Sequence, residues 1–187
     1  MNIILFGPPG AGKGTQAQYL VKKLNNFQIS TGEMLRDEIK KNTEIGKKII
    51  NSMNDGKFVN DEIVNKLIEN VIFDLKKKNK LIFDGYPRSL SQAKNLDIML
   101  DKSNQKIDKV FFLNVNKDTI IQRIGKRKIL EKRSDDDLST ILKRYDTYME
   151  TTKPVLDFYN KNPNFYEIDG TLEIDEITAK IEGFLTV

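Results

Sequence analysis

The sequence contains no cysteine and no histidine. Without thiols or imidazoles, the chain has no disulfides, no thiolate nucleophile, no imidazole acid–base catalyst and no zinc site with ordinary ligands. Any catalysis must therefore depend on carboxylates, lysine, arginine and backbone groups.

Long hydrophobic runs are also missing. The apolar segments IILF (3–6) and VFFL (110–113) are far too short to span a bilayer, and we see no secretory signal at the N-terminus. With 187 residues, 39% hydrophobic and 31% charged, we expect a soluble, cytoplasmic, single-domain protein. The net charge of +4 does not by itself indicate nucleic-acid binding, because charges of both signs are interspersed along the chain.

Five short runs rich in Ile, Phe, Val and Leu predict buried strands at residues 2–6, 27–30, 81–84, 110–115 and 165–169. Helical patterns separate them, which favours an α/β, three-layer fold whose five-stranded parallel sheet is covered on both faces. Residues 31–80 contain too many helical segments for one crossover, so we expect an excursion from the core there. The charged, weakly periodic residues 123–137 predict a surface loop or small flap.

A glycine-rich loop, GPPGAGKGT (7–15), follows the first strand and leads into a helical pattern. Its spacing is typical of a phosphate-binding P-loop, in which backbone N–H groups and a helix N-terminus face the phosphates. Gly14 occupies the position where a Ser or Thr of the usual pattern coordinates Mg²⁺. A switch GTPase is therefore disfavoured, and the metal is expected on Thr15 or on carboxylates acting through water.

Arginine is rare: only six of the 31 basic residues are arginine, and four of these fall between positions 123 and 144. The six are Arg36, Arg88, Arg123, Arg127, Arg133 and Arg144. A guanidinium grips two oxygens at once, so we interpret these positions as phosphate contacts. The alternative for any single arginine is a surface pair with Asp135 or Asp136.

The segment LIFDGYPRS (81–89) predicts a second site. Asp84 ends the third strand, where an aspartate of the Walker-B type would meet the Mg²⁺ shell, and Arg88 follows at once. The alternative is that DGYP is simply a turn. One loop lysine with several arginines suits phosphoryl transfer between two polyanions.

Ordered motifs give the chain a resemblance to the nucleoside monophosphate kinases, and among them to adenylate kinases with a short lid. They are GPPGAGKGT, ISTGEMLR (29–36), DGKFVND (55–61), FDGYPRSLSQA (83–93), QRIGKR (122–127), KRSDDD (132–137), RYDTYMETTKPVLDFY (144–159) and IDGT (168–171). The resemblance covers essentially the whole chain. It implies a monomer that transfers a phosphoryl group reversibly from MgATP to AMP, giving two ADP, with Mg²⁺ and without zinc.

The resemblance also implies a division of the chain and a set of site residues. The core would comprise residues 1–29, 60–123 and 138–187, with an AMP-binding segment at 30–59 and a short lid at 124–137. Catalytic roles would fall to Lys13, Arg88, Arg123, Arg127, Arg133 and Arg144. ATP would be bound by Gly10, Ala11, Gly12, Lys13, Gly14, Thr15, Arg123, Arg127 and Leu172. AMP would be bound by Thr31, Gly32, Arg36, Lys57, Phe58, Val59, Gly85, Arg88, Gln92, Arg133 and Arg144, and Asp84 would join the Mg²⁺ shell through water.

The acceptor is predicted from two residues. Relatives acting on UMP and CMP resemble this pattern but carry Ala at the Thr31 position and Asn at the Gln92 position. The Gln92 amide can pair with the N6 donor and N1 acceptor of adenine, so we expect AMP. Tyr86 replaces the family's common Phe, and its hydroxyl needs a partner if it is buried. A short lid is expected to exclude water less fully than a long one.

Two other functions remain open at this stage. One is a UMP/CMP kinase with atypical residues at positions 31 and 92. The other is a P-loop ATPase or nucleotide-dependent RNA-binding module, which is disfavoured because no aromatic-interleaved RNA-binding signature surrounds the arginines. We therefore expect nucleotides as the partners, and neither nucleic acid nor a membrane.

Overall fold

The structure is a computed structural model that describes residues 1–131 and 137–185, with the side chains of residues 1–126 and 137–185. The strands are β1 (Ile3–Phe6), β2 (Phe27–Ser30), β3 (Leu81–Asp84), β4 (Lys109–Asn114) and β5 (Phe165–Asp169). The helices are α1 (Lys13–Leu24), α2 (Thr31–Lys40), α3 (Glu44–Asn54), α4 (Asp61–Ile72), α5 (Leu90–Lys102), α6 (Lys117–Glu131), α7 (Leu138–Thr147), α8 (Lys153–Tyr159) and α9 (Ile174–Leu185). A 3₁₀ turn spans Leu75–Lys77, and a π-helical turn at Tyr148–Thr152 joins α7 to α8.

The strands form one parallel sheet in the order β2-β3-β1-β4-β5. Ile4 of β1 lies opposite Phe83 of β3 on one side and Val110 of β4 on the other. Because all five strands run the same way, their carboxyl ends meet at one edge of the sheet. The predicted α/β fold with a five-stranded parallel sheet is confirmed.

Hydrophobic side chains cover both faces of the sheet. Ile4 and Phe6 belong to a core packed with residues of α4, α5 and α8, whereas Ile3 and Leu5 belong to a core with residues of α1, α6 and α9. Successive strand residues point to opposite faces, so a strand covered on both sides must be apolar at every position. This explains why the strands appear in the sequence as uninterrupted hydrophobic runs.

The predicted excursion between β2 and α4 consists of α2 and α3, which pack against each other. The Thr43 hydroxyl caps α3 by accepting from Gly46 N at 3.0 Å. Gly46 lies so close to α2 that a Cβ atom there would overlap the carbonyl group of Glu38. A glycine is therefore required where the two helices meet.

The prediction of a loop or flap over residues 123–137 is wrong as far as Glu131, because α6 continues to that residue. The segment has no proline and is rich in Lys, Arg and Leu, whose high helix propensity sustains the helix despite its weak hydrophobic periodicity. Residues 132–136 of the predicted lid lie outside the described residues. Within the described part of the chain, no helix has the length and apolar character needed to cross a membrane.

Candidate functional site

The phosphate loop connects β1 to α1 at the carboxyl edge of the sheet. Gly10 and Gly12 have φ values of 82° and 92°, which L side chains rarely adopt, so glycine is needed for the loop to turn. Lys13 is the first residue of α1, and its Nζ donates to Gly7 O at 2.8 Å and Pro8 O at 3.0 Å. The ammonium group thus lies across the loop, beside the N-terminal N–H groups of α1.

A wide cleft of about 780 Å³ opens above this loop. Its walls include every predicted ATP-binding residue whose side chain is described: Gly10, Ala11, Gly12, Lys13, Gly14, Thr15, Arg123 and Leu172. Arg127 lies on α6, but its side chain is outside the described set. The cleft therefore brings the loop together with α6 and the segment that follows β5.

Arg123 links α6 to that segment. Its guanidinium donates to Gly170 O at 2.7 Å and to Leu172 O at 3.3 Å. These two contacts hold the side chain in the cleft wall and also fix the backbone at Leu172. The two residues were predicted separately, and the hydrogen bond between them shows that they form one wall.

Asp84 lies at the carboxyl end of β3, beside the phosphate loop. Its Oδ2 accepts from Gln28 Nε2 at 3.0 Å, and a Cβ atom on Gly14 would be 3.7 Å from the same oxygen. Gln28 was missed from the sequence, although a polar residue in the short β2 run could have marked it. Among the described residues there is no cluster of three or more acidic side chains that could hold a metal. A lone carboxylate fits Mg²⁺, which usually keeps several waters and shares phosphate oxygens.

A second pocket lies between the α2–α3 excursion and the segment after β3. Predicted AMP-binding residues line it: Gly32, Arg36, Lys57, Phe58, Val59, Gly85, Arg88 and Arg144. Tyr148 and Thr152 also line it and were missed. Thr152 donates to Arg88 O at 3.0 Å, a contact that only the tertiary fold could reveal. Arg133 lies outside the described residues.

Arg88 is the central cation of this second pocket. Its Nε donates to Gly85 O at 2.6 Å, and its guanidinium carbon lies 5.5 Å from the centre of the Phe58 ring. Burial, with a smaller contribution from Arg144, lowers the pKa of Arg88 from 12.5 to about 10. The positive charge is therefore destabilised by its surroundings, and an anion bound here would offset that cost.

Thr31 and Gln92, both predicted to contact AMP, are buried next to residues that line the pocket. The Thr31 hydroxyl donates to Gly85 O at 2.8 Å. Gln92 is 2% exposed; its Oε1 accepts from Arg88 N at 2.7 Å and its Nε2 donates to Asp61 Oδ1 at 2.6 Å. Each side chain is therefore hydrogen-bonded to a lining residue of the pocket.

The Tyr86 hydroxyl is buried and has the hydrogen-bond partner that it was expected to need. The side chain is 1% exposed, and the hydroxyl donates to Asn65 Oδ1 at 2.7 Å. Burial raises the pKa of this hydroxyl, so it stays protonated and can serve as a donor.

The cleft and the second pocket share one wall. The residues common to both are Pro9, Lys13, Gly32, Arg36, Gly85, Arg88 and Arg144. Four of these carry a positive charge, so the strongest cationic surface of the site lies where the two cavities meet. Such an arrangement can hold two polyanionic ligands with their charged ends close together.

Comparisons with known proteins agree with this geometry. Residues 5–164 match the family model described as adenylate kinase. An adenylate kinase of Pelagibacter ubique (strain HTCC1062) is 51% identical over an alignment of 213 positions that covers all of both chains. An adenylate kinase of Mycoplasma capricolum (strain California kid) is 42% identical over an alignment of 215 positions, again covering all of both chains. One from Caulobacter sp. (strain K31) is 41% identical over 187 residues, which cover all of this chain and 99% of the relative.

Proposed function

Because this chain belongs to the adenylate kinase family and transfers a phosphoryl group from ATP to AMP, we propose that ATP occupies the cleft and AMP the second pocket. The observation that carries the assignment is the shared wall of Lys13, Arg36, Arg88 and Arg144. The reacting phosphates of both nucleotides would meet there. Two nucleotide sites without a common cationic wall could each bind a nucleotide but could not align the two reacting phosphates.

ATP is bound by the phosphate loop and by the part of the cleft wall that contains Arg123 and Leu172. The backbone from Gly10 to Thr15 surrounds the phosphates, and Lys13 supplies a point charge to them. Arg123 fixes the backbone at Leu172 through its hydrogen bond, so this segment forms a wall of the nucleotide site. Arg127 follows on the same helix and is assigned to the transferring phosphoryl group.

AMP is bound by the arginines of the second pocket. Arg36, Arg88 and Arg144 contact its phosphate, and the segment from Lys57 to Val59 surrounds its adenosine. The lowered pKa of Arg88 supports an anionic ligand at this point, since a phosphate would stabilise the guanidinium cation. Thr31 and Gln92 are assigned to the adenosine, with the Gln92 amide pairing with the base, and Arg133 is assigned to closure over the phosphate.

The metal that accompanies ATP is Mg²⁺, held by Asp84 through water and by the nucleotide phosphates. Support comes from the carboxylate beside Gly14, whose Oδ2 is oriented by Gln28. When bound, Mg²⁺ neutralises charge on the phosphate oxygens of ATP. The absence of cysteine and histidine leaves no ordinary zinc ligands.

The reaction is an in-line displacement. A phosphate oxygen of AMP attacks the γ-phosphorus of ATP, and the bond from that phosphorus to the β–γ bridging oxygen breaks, leaving ADP on each side. The transition state is loose, so alignment and charge stabilisation do most of the work and no strong general base is needed. Lys13 and Arg88 stabilise the charge on the equatorial oxygens from the shared wall.

The chain moves as three parts during this reaction. The core comprises residues 1–29, 60–123 and 138–187, the AMP-binding segment residues 30–59, and the short lid residues 124–137. The separate packing of α2 against α3 supports the second part as a unit. We place the enzyme in the cytoplasm as a monomer whose partners are ATP, AMP and ADP. The interspersed charges of the sequence give no support for nucleic acid as a further partner.

Two charge-conserving variants test the assignment of the pockets. We expect R88K to raise the KM for AMP at least about tenfold with a smaller effect on the KM for ATP, because lysine cannot grip two phosphate oxygens. We expect R123K to have the opposite pattern. Steady-state kinetics with each nucleotide varied at saturating levels of the other measures both. Equal effects on the two KM values, or an exchanged pattern, would overturn the assignment.

A further inference from the structure

Asp61 connects the start of α4 to the start of α5, next to the second pocket. It is the first residue of α4, two positions after Val59, which lines the pocket. Its Oδ1 accepts from Gln92 Nε2 at 2.6 Å, and its Oδ2 accepts from the Ser89 hydroxyl at 3.2 Å. One carboxylate thus ties the end of the loop at the pocket to the start of α5.

The hydrogen bonds of Gln92 determine which way its amide faces. Asp61 as a carboxylate can only accept, so the amide nitrogen must face it. The backbone N–H of Arg88 can only donate, so the amide oxygen must face that group, and it does so at 2.7 Å. A flipped amide would lose both bonds at once.

These two hydrogen bonds do not use all the donors and acceptors of the Gln92 amide. A primary amide has two N–H donors and an oxygen with two lone pairs. Asp61 takes one donor and Arg88 N takes one lone pair, so within the described residues one donor and one acceptor remain. Adenine offers the matching acceptor at N1 and donor at N6, whereas hypoxanthine offers a donor at N1 and an acceptor at O6.

We propose that Asp61 is a positioning residue that selects the acceptor base by fixing the orientation of the Gln92 amide. The proposal rests on the proposed role of Gln92 toward AMP. Because Gln92 is 2% exposed, its partners in the protein set its orientation before any nucleotide arrives. Asp61 therefore pre-organises the amide for adenine and against bases with the reversed pattern.

The test compares AMP with IMP in the nearly isosteric variant D61N. An asparagine at this position can donate as well as accept, so the orientation of the Gln92 amide is then fixed by Arg88 N alone. We expect the KM for AMP to rise with little change in kcat, and the preference for AMP over IMP in kcat/KM to fall about fivefold to tenfold. Both nucleotides are assayed on the same preparation, so the ratio does not depend on the folded fraction.

Two further variants separate the possible outcomes. S89A removes the other contact of Asp61 and the cap of α5, so it should lower stability while leaving the AMP-to-IMP ratio unchanged. Q92L should abolish the preference. If Q92L leaves the ratio unchanged, the proposed role of Gln92 fails and this inference fails with it. If Q92L abolishes the preference but D61N keeps it, or D61N lowers both substrates equally, only the role of Asp61 is overturned.

Discussion

The hydroxyls of Tyr86 and Tyr159 are both buried, but they differ in hydrogen bonding. Comparing them separates the effect of a hydrogen bond on stability from the effect of burial. Tyr86 is 1% exposed and donates to Asn65, whereas Tyr159 is 4% exposed and its hydroxyl has no partner within the described residues. Removing a paired hydroxyl leaves its acceptor unsatisfied, and removing an unpaired one relieves a desolvated polar group. The same chemical change should therefore have different effects at the two positions.

We expect Y86F to lower the free energy of unfolding by about 1–2 kcal/mol, and Y159F to leave it unchanged or raise it. Urea denaturation of both variants alongside the parent chain measures the difference, with each variant serving as the control for the other. A loss of equal size in the two variants would contradict the importance of the Tyr86–Asn65 hydrogen bond.

Residues that bind phosphate could be predicted from the sequence, because phosphate imposes residue types that stand out locally. Lys13 follows a glycine pattern, and Arg88 is one of six arginines in a lysine-rich chain. Gln28 had only a weak signal, as a polar residue in the short β2 run. Asp61 and Thr152 could not be predicted in this way, because each is hydrogen-bonded to a residue that only the fold brings near. The Ser-x-x-Gln spacing of residues 89–92 did carry a signal, since it is typical of a helix capping box and indicates that the glutamine amide is already engaged.

At the scale of elements, the contact between α2 and α3 depends on a glycine at one position of α3. Gly46 of α3 lies against the backbone of α2 at Glu38 and Ile39, and α2 also carries Arg36. Gly183 lies on the exposed side of α9, where an added Cβ atom would have no described atom within 4 Å. The two glycines therefore offer a matched comparison within helices.

We expect G46A to lower the free energy of unfolding by about 1–3 kcal/mol because the added methyl group forces the helices apart. It should also raise the KM for AMP, since Arg36 moves with α2. G183A should increase stability by up to about 1 kcal/mol through helix propensity alone. Thermal unfolding and AMP kinetics of both variants test this, and a G46A protein as stable as the parent would refute the close packing of α2 on α3.

Elements differ in how well the sequence predicts them. The strands could be predicted because both faces of the sheet are buried, which leaves each strand apolar along its length. The extent of α6 could not, because residues 124–131 lack a clear apolar stripe and are helical through propensity and continuity with the preceding turns. Hydrophobic periodicity detects a helix through its apolar stripe, so it fails where the sequence lacks one.

At the scale of the whole molecule, the parallel sheet explains why the site can handle two nucleotides. The phosphate loop follows β1, the excursion follows β2 and Arg88 follows β3, so all of them start from the same edge. The strand order places β1 and β2 on either side of β3. Lys13, Arg36 and the residues that follow Asp84 therefore lie at the same edge, which gives the two cavities a common wall.

The measurement that tests this account most directly is the number of ADP molecules formed per AMP consumed. The protein is incubated with ATP and Mg²⁺ and with AMP, CMP, UMP, GMP or no acceptor, and the nucleotides are separated by ion-exchange chromatography. We predict two ADP for each AMP consumed, and ADP formation without an acceptor on the order of 100-fold slower, because the common wall aligns phosphate with phosphate and not with water. Equal ADP formation with and without AMP would contradict transfer between the two cavities.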